Sequence, residues 1–434
     1  MLILPFMILI NLTLSPAIQS ASSTPSFIIG ADISSLEELL GLNAKFTDNG
    51  ERIVGIPQFL NNKGLDEVRL RIWNDPPSGA SNLEYVVKSV KRLNGIPYLL
   101  DFHYSDWWAD PAHQTIPDAW KNLDFSGLEE AIYNYTFNVL TTLKDAGQLP
   151  LRVQLGNEIS CGMLWNYAKV CGEFDTYAHW KNLADLLNSA KQAVMDVSDN
   201  IKIVIHLDRS TDPDWVTYFI NQLKLRGFLF NELGLSYYPW WHGGLSTLEK
   251  SLGKIADIGI PFFIAEMGYP FTLGWNDSFN NLVGLESQLE PGFPATQQGQ
   301  SEFIQNVVRI VREQGGFGAF YWEATMVSQE GYSSAWENLA WFDFSHESNQ
   351  IIDDLASMHS VTSASNISTS SLDVNLSTDT STDTSTDTST VPIISGGVST
   401  TSSTVLPMFS VITAIVIVSL VRIKGKLRNL HRND

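Results

Sequence analysis

From Phe27 to Asp343, short runs rich in β-branched and aromatic residues alternate with longer stretches in which apolar positions recur every three or four residues. The short runs read as buried strands and the longer ones as amphipathic helices, so the pattern predicts parallel strands joined by helical crossovers. Eight runs qualify: "FIIGAD", "VRLRIW", "YLLDFH", "RVQLGNE", "IKIVIHLD", "LGLSYYP", "FFIAE" and "FGAFYWE". Helical stretches such as "NLEYVVKSVKRL" after the second run and "HWKNLADLLNSAKQAVMDV" after the fourth lie between them. Eight strand–helix units across residues 27–357 fit a closed (β/α)8 TIM barrel. The alternative, an open doubly wound sheet, places a G-x-G-x-x-G turn after its first strand, and this chain has none there. The predicted fold class is therefore α/β, a (β/α)8 barrel.

Nearly every predicted strand ends on a polar or aromatic side chain: in order Asp32, Arg71 with Trp73, Asp101 with His103, Asn157 with Glu158, His206 with Asp208, Tyr238, Glu266, and Trp322 with Glu323. In a barrel these C-terminal ends converge on one mouth, where active sites form. Glu158 closes the fourth run and Glu266 the seventh, on opposite sides of the barrel. Two carboxyl groups so placed suit glycosidic hydrolysis, in which one protonates the leaving oxygen and the other attacks or activates water. Their rival reading is a structural ion pair in which Arg71 neutralises Glu266. In the catalytic reading the same arginine keeps Glu266 ionised, while a drier setting keeps Glu158 protonated.

The stretch "HYSDWWADP", from His103 to Pro111, crowds an imidazole, two carboxylates and two tryptophans into a predicted loop. A metal site built from Asp101, His103, Asp106 and Asp110 would leave Trp107 and Trp108 unexplained. A wall facing a sugar accounts for them better, because an indole face stacks on the apolar C–H patch of a pyranose. In this reading one tryptophan faces the ring and the other packs under the loop.

Composition extends the picture at both ends. The apolar opening "MLILPFMILINLTLSPAIQSASS" reads as an export signal over residues 1–22. Residues 362–404 are rich in Ser, Thr and Asp, including "STDTSTDTSTDTST", and predict a disordered stalk. "VLPMFSVITAIVIVSLV" (405–421) carries no charge and predicts one C-terminal transmembrane helix; the basic residues of 422–434 predict a cytoplasmic tail. The expected location is extracellular, at the cell surface, with the membrane as a partner through that helix. Asn134, Asn276, Asn366 and Asn375 lie in N-x-Ser/Thr sequons, which agree with export. A net charge of −20 argues against nucleic acid, and a neutral polysaccharide is allowed. Cys161 and Cys171 are the two cysteines, read as a disulfide with two free thiols as the alternative. No motif calls for a metal, a cofactor or an obligate protein partner.

The blocks "GADISS", "VRLRIWNDP", "DFHYSDWWADPAHQTIPDAW", "VQLGNEISCGMLW", "LSYYPWWHG", "AEMGYPF" and "YWEATM" resemble, in order, those of glycoside hydrolase family 53, the arabinogalactan endo-β-1,4-galactanases. The resemblance implies a retaining enzyme that cleaves β-1,4-galactan by double displacement, with Glu158 as acid/base and Glu266 as nucleophile. It implies Asn157 as partner of the sugar 2-hydroxyl and Arg71, His103, His206, Tyr238 and Trp322 as the shell around the reacting sugar. Two departures stand out: Ala265 precedes the seventh-strand glutamate where the family usually has Thr, and "ATM" replaces a Pro- and Trp-containing stretch. Some members hold calcium in the loops after strands seven and eight; no acidic loop of that spacing is seen here. Two rival functions remain at this point: a related β-mannanase or cellulase, and a non-catalytic surface glycan-binding protein.

Overall fold

The computed structural model describes residues 27–360. Eight parallel strands close on themselves: β1 (Ile28–Asp32), β2 (Glu67–Ile72), β3 (Tyr98–Phe102), β4 (Arg152–Leu155), β5 (Lys202–Leu207), β6 (Glu232–Tyr237), β7 (Phe262–Met267) and β8 (Gly318–Tyr321). Strands adjacent in sequence are adjacent in the sheet, and β1 pairs with both β2 and β8, which shuts the barrel. The eight runs read from the sequence are these eight strands. The predicted leader, stalk, membrane helix and tail (1–22, 362–404, 405–421 and 422–434) lie outside the described residues. Among the described residues no helix is long and apolar enough to cross a membrane.

The crossovers are α1 (Leu36–Gly41) and α2 (Ile56–Lys63) before β2, then α3 (Leu83–Leu93), α4 (Phe125–Asp145), α5 (Tyr177–Val197) and α6 (Pro213–Lys224), one before each following strand. Short α7 (Pro239–His242) and α8 (Leu245–Ala256) precede β7, α9 (Gln297–Glu313) precedes β8, and α10 (Gln350–Met358) ends the domain. Helices α3, α4, α5, α6 and α9 start on Asn82, Asp124, Thr176, Asp212 and Thr296, whose side chains accept a backbone N–H three residues on. Each such cap contributes about 1 kcal/mol and fixes where the helix leaves the barrel mouth.

The barrel interior is layered. Glu67, Arg152 and Glu232 meet at the N-terminal ends of β2, β4 and β6, with Arg152 paired to both carboxylates. Leu99, Val204, Phe263, Ala265 and Phe320 form a separate apolar cluster inside the barrel. Gly30 makes room there: a Cβ at this position would lie 2.2 Å from the Phe320 ring. Toward the mouth the inward positions become polar, with Arg69, Asp101, Gln154 and His206 all buried.

One irregularity sets the site. Between β6 and β7, Leu235 pairs with Ile264 but Ser236 pairs with Glu266, so Ala265 is an extra residue on β7. Strict alternation would send Phe263, Ala265 and Met267 inward and Glu266 outward. The bulge resets the parity, so Ala265 stays in the inner cluster while Glu266 also reaches the interior. Ala265 also lies against Gly234, where an added Cβ would come within 3.0 Å of it. A small residue therefore fits at the first of the two family departures.

Gly30→Ala should lower unfolding free energy by about 2–3 kcal/mol through overpacking, with Phe320→Leu restoring part of it. Urea denaturation of the two single variants and the double variant checks this; an unaffected Gly30→Ala protein would show that the Phe320 ring is not confined as described.

Candidate active site

The polar layer is organised by Arg69. Its guanidinium, almost fully buried, reaches Asp32 at 3.1 Å, Asp101 at 2.8 Å and Glu266 at 2.9 Å, and donates to Asn157 Oδ1 at 2.8 Å. The cation beside Glu266 is thus Arg69. Arg71, expected in that role, pairs instead with Glu323, itself held by Ser35, and the Arg71 guanidinium lies 4.2 Å from the Trp108 ring centre. The cause is register. Both arginines sit on β2 two residues apart, and the lower one reaches the carboxylates buried beneath the mouth.

Glu266 Oε1 faces Arg69, and its Oε2 accepts the Tyr238 hydroxyl proton at 3.0 Å. Burial pushes the Glu266 carboxyl up to about 7, against the opposing pull of Arg69. Glu158 has no cation partner among the described residues; its Oε1 accepts the Ser236 hydroxyl at 2.6 Å. Burial first, and then the charges of Glu266 and Asp208, raise its pKa well above the ordinary carboxyl value. With Arg69 beside Glu266 and no cation beside Glu158 among the described residues, the titration order favoured is Glu266 before Glu158.

Glu158 gains its place from a tight turn. Beyond β4 the backbone is left-handed at Gly156 (φ 88°) and again at Glu158 (φ 48°). A non-glycine residue in that region costs about 1–2 kcal/mol, and such strain collects at functional positions. Directly after it, Cys161 and Cys171 are bonded to one another and bracket a small hairpin (Gly162–Met163 with Ala168–Lys169).

The "HYSDWWADP" loop is pinned at Ala109. Its N–H donates to His103 Nδ1 at 3.0 Å and its carbonyl accepts from Asn157 Nδ2 at 2.9 Å. His103 Nε2 in turn lies 3.0 Å from Asp101, so the imidazole ties the loop to the Arg69 layer. Asp106 accepts the backbone N–H groups of Asp75 and Asp118, which clamps the outer part of the loop. Trp107 and Trp108 both lie against Trp73, ring centres 5.0 and 5.1 Å apart, and Trp108 alone of the two lines the cleft, beside Trp322.

That cleft has a volume of ≈ 910 Å³, counting its solvent-filled mouth. Glu158, Glu266, Asn157, Tyr238, Trp108 and Trp322 all line it. Arg71, His103, His206 and Trp107 do not; the first three contact groups that do, namely Trp108, Ala109 and Asn157. His206, fully buried, contacts Ser236, Asn157 and the backbone of Glu158. Burial and the Arg69 charge hold its pKa well below the usual value, so it is neutral. Sequence reading missed Arg69, Trp241, His242, Trp336 and Leu282. The signal for Arg69 was present in the alternation "RLR", since residues two apart on a strand share a face. Trp241 and His242 come from short α7, and Trp336 and Leu282 from the segments beyond β8 and β7, whose path no periodicity reveals.

A family model for glycosyl hydrolase family 53 matches residues 28–356. An arabinogalactan endo-β-1,4-galactanase of Cellvibrio japonicus is 35% identical over 351 residues, covering 76% of this chain and 90% of that protein. Among solved structures, the GH53 catalytic domain of Ignisphaera aggregans matches with a TM-score of 0.72 at 34% identity, over 76% of this chain and 96% of that one. A fungal β-1,4-galactanase structure matches with a TM-score of 0.67 at 31% identity, over 76% and 99%. The family match runs through nearly the whole described barrel and takes in both carboxylates of the cleft, so the chain belongs to glycosyl hydrolase family 53.

Proposed function

We propose that this protein hydrolyses β-1,4-galactosidic bonds within galactan and type I arabinogalactan, with retention of anomeric configuration. The observation that carries the reading is the pair Glu158 and Glu266 in one aromatic cleft, where one carboxyl is bound by a buried arginine and the other has no cation beside it among the described residues. The names of the family relatives supply the substrate class.

In the first step a Glu266 oxygen attacks the anomeric carbon, and the bond to the leaving oxygen breaks as Glu158 delivers its proton there. In the second step the Glu158 carboxylate takes a proton from water. The water oxygen attacks the same carbon, and Glu266 departs as carboxylate. Two displacements restore the starting configuration. Arg69 and the Tyr238 hydroxyl bind the Glu266 oxygens, so they stabilise the anion before attack and after release. Trp108 and Trp322 offer ring faces to the sugar, and Asn157 is the partner of its 2-hydroxyl.

The sequence outside the barrel supports a placement. The leader would export the chain, and the stalk with the apolar 405–421 segment would tether the barrel outside the cell, where galactan is found as a polymer. Protease treatment of intact cells that releases an active barrel fragment supports this, and activity confined to the lysate opposes it.

Glu158→Gln and Glu266→Gln should each reduce galactan turnover at least about 10³-fold with the fold intact by circular dichroism. Galactan, mannan and cellulose compared by reducing-end release identify the polymer; a wild-type protein that binds galactan without cleaving it would leave a binding function in place of catalysis. The pH profile of kcat/KM follows from the titration order. Activity rises as Glu266 loses its proton, near pH 7, and falls at higher pH as Glu158 loses its own. An acid limb unaffected by the state of Glu266 would contradict the assignment.

The tryptophans separate by role. Trp108→Ala should lower kcat/KM on galactan by about tenfold through lost stacking. Trp107→Ala should mainly cost stability, about 1–3 kcal/mol. Parallel kinetics and urea denaturation on both variants check this, and the reverse pattern would overturn it.

A further inference from the structure

Behind Glu158 stands a hydrogen-bonded pair that the mechanism above does not use. Ser236, fully buried on β6, has its Oγ 2.6 Å from Glu158 Oε1 and 2.9 Å from His206 Nε2. A hydroxyl carries one proton, so the direction of this chain depends on which imidazole nitrogen of His206 is protonated. The Glu158 backbone N–H points at His206 Nδ1 over 3.3 Å, and the Gln154 amide lies 3.1 Å from the same nitrogen. A donor aimed at Nδ1 requires a lone pair there, which places the ring proton on Nε2. Asn157 Oδ1 is also 2.9 Å from Nδ1, but it already accepts from Arg69 and Gln154 and needs no proton from the ring.

With Nε2 protonated the order runs in one direction: His206 donates to Ser236, and Ser236 donates to Glu158 Oε1. Oε1 is then occupied as an acceptor. Glu158 Oε2 takes no hydrogen bond from the described residues and is the oxygen left for a ligand in the cleft. We propose that Ser236, oriented by His206, is a positioning residue that keeps the transferable proton of Glu158 on Oε2, facing the glycosidic oxygen. The opposite tautomer of His206 would turn the Ser236 proton toward the ring and draw the Glu158 proton into the protein, where it could reach no substrate. The β6–β7 bulge belongs to the same device, because the register shift that brings Glu266 inward begins at Ser236.

This inference rests on the assignment of Glu158 as the acid. The other titratable groups that face Glu158 are Glu266 on β7, Asp208 after β5, Asp110 in the loop after β3, and Tyr238 after β6. None of them donates to its Oε1 among the described residues. Loss of the Ser236 hydroxyl therefore removes the one side-chain hydrogen bond that, among the described residues, favours the ionised form of Glu158, and the alkaline limb of the pH profile should move upward.

The test compares wild type with Ser236→Ala on two substrates: linear galactan, whose leaving group needs a proton, and 2,4-dinitrophenyl β-galactobioside, whose leaving group departs without one. The expected result is a loss in kcat/KM of about tenfold or more on galactan, with less than twofold on the aryl substrate and an alkaline limb displaced upward. An equal loss on both substrates with an unmoved alkaline limb would assign Ser236 a structural role only. Unchanged kinetics on galactan would also overturn the proposal. A wild-type protein inactive on galactan would refute the functional reading itself, which separates the two failures.

Discussion

One buried cation, Arg69, sits among three buried carboxylates, Asp32, Asp101 and Glu266. Taking a charge out of water costs several kcal/mol unless it is paired and hydrogen-bonded, and here a single guanidinium serves all three anions. The charges do not balance, and the imbalance is felt unequally. Asp101 is buried too, yet Arg69 and His103 hold its pKa below the usual carboxylate value. Glu266, nearest the cleft, is left closest to its own titration at about 7. Glu158, on the other side of the cleft with no cation beside it among the described residues, is pushed well above the usual carboxyl value by burial and by the charges of Glu266 and Asp208. The proposed division between nucleophile and acid would thus follow from where one arginine reaches.

The same network shapes the walls. Arg69 holds Asn157 Oδ1, Asn157 Nδ2 holds the carbonyl of Ala109, and His103 joins the Ala109 N–H to Asp101. The loop that carries Trp108 is therefore bonded to the ionic layer of the barrel through both of its backbone groups at one residue. Arg71 performs a parallel service from the next inward position, lying between Glu323 and the Trp108 ring. A change in the buried charges would be transmitted to the aromatic wall without any direct contact with substrate.

Much of this was legible in the sequence, for definite reasons. Barrel strands buried on both faces leave compact apolar runs, and eight of them emerge without a structure. Polar residues at their C-terminal ends have little reason to be there except to face a shared mouth, which exposed Glu158 and Glu266. What sequence could not resolve was depth. Arg69 and Arg71 have equal claim to the mouth on pattern alone, and only strand register shows that the first meets Glu266. The bulge at Ala265 was likewise hidden: alternation predicts Glu266 on the outer face, and the exception is visible only in the pairing of β6 with β7. For the tryptophan pair, the sequence posed the question of which faces the sugar; both rings pack on Trp73, and of the two only Trp108 lines the cleft.

The proposed roles require the two carboxyl groups of the cleft to differ in protonation at working pH, with Glu266 ionised and Glu158 not. Carbon-13 NMR titration of carboxyl-labelled glutamates, assigned by difference against the two single Gln variants, measures this directly in the free protein. The Glu266 resonance should titrate first, near 7, and the Glu158 resonance should follow at higher pH. A Glu158 carboxyl that ionises before Glu266 would contradict it.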